Sequence, residues 1–313
     1  MEMLETYFRI LNKLIAWRIP FIGYPLKRKD IDHNPFFIVG SGRSGNTLLR
    51  RILMSHSELY IPPETYVLGR SIKTFQRYNN MLWKDLVHLT LSIFEFHPEF
   101  VTFDCWLGPL AKEVAFAPVA SRNLAYILDK FYRYHAETKG FTPVRWGDKT
   151  PLNVYDLPDI RKAFPQAQFI HILRDGCDVV ESYLRVGIYD DIRSAGQRWS
   201  SSVSAYADFS HKFPGSCFEV RYEDLVVTPR ETVLAICDFL DIQFEDQMLS
   251  SEELSSRMGD VTRHDHHQGV SGKITTSRIG KGRESLSPED KCILGPIIDD
   301  QLIKLGYQPC IQG

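Results

Sequence analysis

The sequence predicts an α/β protein: a P-loop-like three-layer fold with a mostly parallel central sheet and a helical cap insertion. Three observations predict it. Short apolar runs recur along the chain, each followed by a stretch of helical period, the punctuation of a parallel sheet covered on both faces. The first run ends in Gly40-Ser41-Gly42-Arg43-Ser44-Gly45-Asn46-Thr47, a glycine-rich loop between strand and helix. Residues 66–140 then interrupt the alternation with helix-like patterns and no convincing strand, as an inserted cap would.

Residues 1–34 read as an N-terminal amphipathic helix and linker. Leu4, Tyr7, Phe8, Leu11, Leu14 and Ile15 recur at helical spacing among Arg9, Lys13 and Arg18 until Pro20 and Pro25 break the pattern. Residues 1–30 fit either a helix packed on the body or a basic amphipathic helix in peripheral contact with a membrane surface. The main domain is expected over 35–313. Phe36-Phe37-Ile38-Val39 suits a buried parallel strand, and Asn46 to Ser57 a helix with Leu48, Leu49, Ile52 and Leu53 on one face. A second strand is expected near Val144-Arg145-Trp146. A third is Gln168 to Leu173, followed by a helix containing Val179, Val180, Tyr183 and Leu184. A fourth is Cys217 to Val220, followed by a helix from Pro229 to Leu240. The Gly-, Ser-, Thr- and His-rich stretch 259–285 reads as a long loop.

Composition narrows the function. The 313 residues carry 37 basic and 39 acidic side chains, a net charge of −2, so nothing draws the chain to nucleic acid. The six cysteines, Cys105, Cys177, Cys217, Cys237, Cys292 and Cys310, are scattered without metal-like spacing and read as reduced thiols. No Asn-x-Ser/Thr acceptor occurs and no apolar run approaches 18 residues. A cytoplasmic protein, membrane-peripheral if its N-terminus meets lipid, is the expectation.

The loop carries the chemistry. Backbone N–H groups and a helix N-terminus there can cradle an anion. Its spacing nearly repeats G-x-x-x-x-G-K-[ST], but Asn46 stands in place of the lysine, and Arg43 is the loop's one cation. Gly-Arg-Ser-Gly-Asn-Thr-Leu-Leu-Arg resembles the 5′-phosphosulfate loop of the sulfotransferases, in the branch with the tyrosylprotein and many bacterial enzymes. Arg174-Asp175-Gly176-Cys177-Asp178-Val179-Val180-Glu181-Ser182 is similar to that family's R-D-x-x-x-x-x-x-S motif for a 3′-phosphate. Arg174 closes a strand at the edge where parallel sheets bind ligands, and Ser182 lies about two helical turns on.

Further elements resemble the same family. Tyr222-Glu223-Asp224-Leu225 looks like its Y-E-D-L element, whose Tyr lies near adenosine. Ser277-Arg278-Ile279-Gly280-Lys281-Gly282-Arg283 is similar to its late basic loop, with Gly282 in place of a tryptophan. The resemblance implies 3′-phosphoadenosine-5′-phosphosulfate (PAPS) as donor, adenosine 3′,5′-bisphosphate (PAP) as product and no required metal. It assigns donor binding to Gly42, Arg43, Ser44, Gly45, Asn46, Thr47, Leu48, Arg174, Ser182, Tyr222, Ser277, Lys281, Gly282 and Arg283.

Sulfuryl transfer, like phosphoryl transfer, has a loose in-line transition state, so the enzyme positions its reactants, stabilises charge and takes the acceptor's proton. Arg43 is one cation for the bridging oxygens. Lys149, in Gly147-Asp148-Lys149-Thr150-Pro151, resembles the family's catalytic lysine. Glu64, in Ile61-Pro62-Pro63-Glu64-Thr65, occupies the place of the base in the tyrosylprotein branch. The expected reaction moves a sulfuryl group to a hydroxyl of a sugar, lipid, small metabolite or tyrosine. A P-loop small-molecule kinase is the alternative, and a non-catalytic nucleotide-binding module a third reading. His264, Asp265, His266 and His267 are read as a solvated or substrate-facing loop; contiguous residues rarely share one metal geometry.

Overall fold

The computed structural model describes residues 23–28, 34–250 and 274–311. Five parallel strands form its sheet: β1 (Phe36–Gly40), β2 (Leu59–Tyr60), β3 (Arg145–Lys149), β4 (Gln168–Leu173) and β5 (Cys217–Arg221), in the order β2-β3-β1-β4-β5. The two-residue edge strand β2 has no sequence signal of its own; it is too short to show a period. Alternation sorts the strand side chains. Phe37 and Val39 enter one core, and Phe36 and Ile38 the other. Because β1 lies between β3 and β4, the chain leaves it in both directions and a crevice opens at its carboxyl end.

Helix α1 (Asn46–Met54) follows β1 and ends three residues short of the expected Ser57, where the Ser55 N–H turns back to Arg51 O and Ile52 O. The span 66–140 contains α2 (Leu68–Tyr78), α3 (Trp83–Glu95), α4 (Gly108–Ala115) and α5 (Leu124–Thr138), with 3₁₀ turns between them. The side chain of Asn123 starts α5 by accepting the Tyr126 N–H at 3.0 Å. These helices form one layer with the sheet: Ile72, Phe94 and Phe131 share a core with Phe37, Trp146 and Phe169. Residues 23–28 join that layer. Tyr24 N donates to Asn79 O, and Leu124 N and Ala125 N donate to Pro25 O and Leu26 O. Residues 1–22, read above as amphipathic, lie outside the described residues, as do His264–His267.

Helix α6 (Leu157–Ala163) precedes β4. Helix α7 (Gly176–Arg185) starts directly after it, with Asp175 Oδ1 capping the Cys177 N–H at 2.8 Å. Then come α8 (Ile192–Lys212), α9 (Tyr222–Val227), α10 (Pro229–Leu240), α11 (Gln247–Ser250), α12 (Lys281–Ser285) and α13 (Pro288–Lys304). Helices α1, α9 and α10 cover the second sheet face, while α7, α8 and α13 build a third cluster around Trp199 and Leu294. Among the described residues, no helix is long and apolar enough to cross a membrane.

One core group sets a pH dependence. His135 on α5 is buried, with Nδ1 2.8 Å from Tyr60 OH and Nε2 2.9 Å from Phe103 O. Burial lowers its pKa from 6.5 to about 4. A base depressed on folding stabilises the fold above its unfolded pKa, and that contribution fades as pH falls through the folded one. Between pH 6.5 and 4 the protein should therefore lose about 3 kcal/mol from this group. Urea denaturation of His135→Gln should show a flatter pH dependence across that window. Parallel slopes for parent and variant would show that the imidazole does not titrate there.

Candidate active site

The loops that leave the carboxyl ends of β1, β3, β4 and β5 surround a cavity of about 900 Å³. On its floor, Gly45 takes a φ of 99°, and a Cβ there would lie 2.5 Å from the Tyr222 ring. Only glycine lets the loop enter α1 beneath that ring. Asn46, in the place of a P-loop lysine, donates from Nδ2 to Ser41 O at 2.8 Å and so ties the loop to itself. Ser41 Oγ lies 3.0 Å from Tyr183 OH on α7.

Arg43 is the loop's one non-glycine residue in the left-handed region, with φ 65°. That turn carries its side chain to α7, where Nε donates to Ser182 Oγ at 3.1 Å. Arg43, read from the sequence as a cation for the bridging oxygens, thus stands with Ser182, because its backbone geometry points it there. Arg174 completes this corner. It donates to Arg43 O at 3.1 Å, to Arg278 O at 2.5 Å and to Asp178 Oδ2 at 3.3 Å, and its guanidinium lies 4.5 Å from the Tyr222 ring centre. Arg185 Nη2 reaches the same Ser182 Oγ at 3.3 Å. Burial, and then the positive charges of Arg185, Arg174 and Arg278, lower the pKa of Arg43. Crowded guanidinium groups of this kind are relieved by an anion.

The second corner pairs a base with a cation. Lys149, the last residue of β3, is fully buried, with Nζ 2.5 Å from Glu64 Oε1 and 3.5 Å from Thr47 Oγ1. Glu64 itself faces the cavity. A buried carboxylate beneath it anchors both partners. Asp148 accepts from Thr65 Oγ1 (2.9 Å), Tyr132 OH (2.6 Å) and Asn153 Nδ2 (2.8 Å), while Thr65 N donates to Thr150 Oγ1 (3.0 Å). Burial raises the pKa of Asp148, against the pull of these hydrogen bonds. The loop bearing Glu64 is thereby fastened to the strand bearing Lys149.

The cavity wall holds most of the residues read from the sequence: Gly42, Arg43, Gly45, Asn46, Thr47, Leu48, Glu64, Arg174, Ser182, Tyr222, Ser277 and Lys281. Ser44 is buried off the wall. Gly282 and Arg283 are also absent from the wall, and their contacts lie with α7 and the segment after α13. The Gly282 N–H donates to Asp178 Oδ1 at 2.7 Å, and a Cβ there would meet Cys177 O at 2.0 Å, so a tryptophan cannot fit. Arg283 turns away to Asp175 Oδ2 at 2.7 Å and to Pro309 O at 3.0 Å. Three guanidinium groups on the wall, of Arg185, Arg198 and Arg278, were missed. Arg185 lies three residues after Ser182 on one helix face, and Arg278 lies inside the late basic loop. The cap lends Tyr66 and Glu99 to the wall, and the α7–α8 connection and α8 lend Ile188, Tyr189 and Arg198.

The family profile described as "Sulfotransferase family" matches residues 35–246, from β1 to the end of α10 and just beyond. The chain belongs to the sulfotransferase family. A putative protein-tyrosine sulfotransferase of Caenorhabditis briggsae is 28% identical over 224 residues, 70% of this chain and 69% of that one. Protein-tyrosine sulfotransferase A of Caenorhabditis elegans is 25% identical, over 93% of this chain and 73% of that one. In fold, the chain is similar to the sulfotransferase domain of the Synechococcus PCC 7002 olefin synthase, with a TM-score of 0.58 and 24% identity, covering 90% of this chain and 98% of that one. A sulfotransferase's P-loop-like α/β fold and general activity, sulfuryl transfer, are thus assigned to this enzyme. The kinase alternative is not favoured; Asn46 spends its side chain on Ser41 O, where a kinase lysine would reach a phosphate.

Proposed function

We propose that this sulfotransferase draws its sulfuryl group from PAPS and passes it to a hydroxyl, with Glu64 as general base and Lys149 as the cation beside it. The observation that carries the reading is the convergence of two unlike corners on one cavity. One gathers Arg43, Arg174, Arg185 and Arg278 on the wall, with Arg43 and Arg185 bonded to Ser182; the other is Glu64 on the wall, paired with Lys149 buried behind it. The first suits a phosphate, and the second suits proton removal next to developing negative charge. The loop N–H groups and the start of α1 suit a second anionic group between them. Glu64 would take the acceptor's proton as its oxygen bonds to sulfur and the bond from sulfur to the 5′-phosphate oxygen breaks. Lys149 would hold the charge on the sulfuryl oxygens. The names of the relatives make a tyrosine hydroxyl the first acceptor to try, ahead of sugars, lipids and small metabolites.

Thermal unfolding with three nucleotides tests the two-corner reading. PAP should stabilise the protein by about 2.7 kcal/mol at one hundred times its Kd, and ATP and adenosine 5′-phosphate by much less at equal concentration. Arg174→Ala should weaken PAP by about 1.5–3 kcal/mol, the range for a hydrogen bond to a charged group, and scarcely alter adenosine 5′-phosphate. Equal shifts from all three nucleotides would sink the 3′-phosphate corner.

A further inference from the structure

Off the cavity wall, two buried sulfurs meet. Cys177 is the second residue of α7, and Cys310 lies in the segment after α13; 133 residues separate them, yet their Sγ atoms are 2.7 Å apart. Both positions are held from outside the pair. The Cys177 N–H donates to Asp175 Oδ1 at 2.8 Å, and the Cys310 N–H to Asp299 Oδ1 at 2.6 Å. Arg283 links the two sides again, bonding Asp175 Oδ2 and Pro309 O. The sulfuryl-transfer reading uses neither thiol. Of the other four cysteines, Cys292 is the exposed one.

We propose that Cys177 and Cys310 are the site of a reversible disulfide, formed by a small hydroperoxide and opened by thiols. It would staple the C-terminal segment to the first turn of the helix that carries Ser182. The chemistry balances as follows. One cysteine, as thiolate, attacks the peroxide; the O–O bond breaks, leaving a sulfenic acid and an alcohol, or water from hydrogen peroxide. The second thiol attacks that sulfur and expels water. The pair gives up two electrons and two protons, and the hydroperoxide accepts them. A small oxidant is required because both cysteines are buried. All six cysteines are free thiols in the structure, and two of them meet as a pair that no spacing in the sequence could show. The inference is independent of the donor and acceptor assignments.

Treatment of the folded full chain with hydrogen peroxide, then tryptic mapping without reductant, tests it. Cleavage after Arg174, Arg185 and Lys304 releases Cys177 and Cys310 in separate peptides, 175–185 and 305–313. Peroxide should join these two, with loss of two hydrogens, in most of the protein. The Tm should rise by about 5 °C, the effect of cross-linking so long a loop, and return with dithiothreitol. Cys310→Ser should show neither change and Cys292→Ser both; should Cys310→Ser fail to fold, Cys177→Ser replaces it, and the parent's peptide map decides in any case. Oxidation confined to Cys292, or a linked peptide that forms only in urea, would overturn the proposal.

Discussion

Glu64→Gln is expected to slow turnover by about 10²–10⁴, the usual span for a positioned proton transfer, with PAP affinity unchanged within a few-fold. Glutamine keeps the size of the side chain and a hydrogen-bonding oxygen for Lys149 Nζ, so the pair's contact survives in shape. What goes is the basic oxygen. Even a phenol has a pKa of about 10, so without a base the attacking oxygen keeps its proton at neutral pH. The loss should fall on kcat, since the base acts on the acceptor in the transition state. The assay is PAP release with whichever acceptor in a cell extract gains one SO₃ by mass spectrometry. Parent-like turnover by Glu64→Gln would place the base elsewhere, and His264–His267 would be the next residues to replace.

Lys149→Met should cut the rate by about 10²–10³, the range for removing one donor aimed at developing charge. Methionine is chosen because Lys149 is fully buried: it fills the volume, whereas alanine would leave a hole. Loss of the ammonium also leaves Glu64 without its partner, so stability has to be followed by denaturation alongside. The informative contrast is between two ligands. A cation that serves the sulfuryl oxygens should matter to PAPS and hardly to PAP, which lacks them. If a folded Lys149→Met protein loses PAP as strongly as PAPS, Lys149 is holding a phosphate and the transfer chemistry must find another cation.

These experiments bear on a site that was partly legible in the sequence. The glycine-rich loop could be read because its signals are local: an apolar run, glycines where the chain turns sharply, then helical period. Arg174 and Ser182 were legible for the same reason, being one motif on one helix start. Arg43 was read from its motif as a cation, but its contact with Ser182 was not legible, because the turn at φ 65° that carries it there is a property of the folded loop. Gly282 shows the converse. Its motif pointed at the donor, and the structure spends it on a close approach to Cys177 O.

The sequence by itself determined the α/β class, the run of helices between β2 and β3 and the glycine-rich strand–loop–helix, and it named Glu64 and Lys149 as candidates, since each of these signals is a local run, period or motif. Only the tertiary structure decided which of them meet. Thr65 reaches Asp148 across 83 residues, Arg43 reaches Ser182 across 139, and Cys177 touches Cys310 across 133. Such contacts leave no local period, because they are set by strand order and by how the layers pack, and a side chain's neighbours across the sheet are fixed only once the chain has closed those long loops.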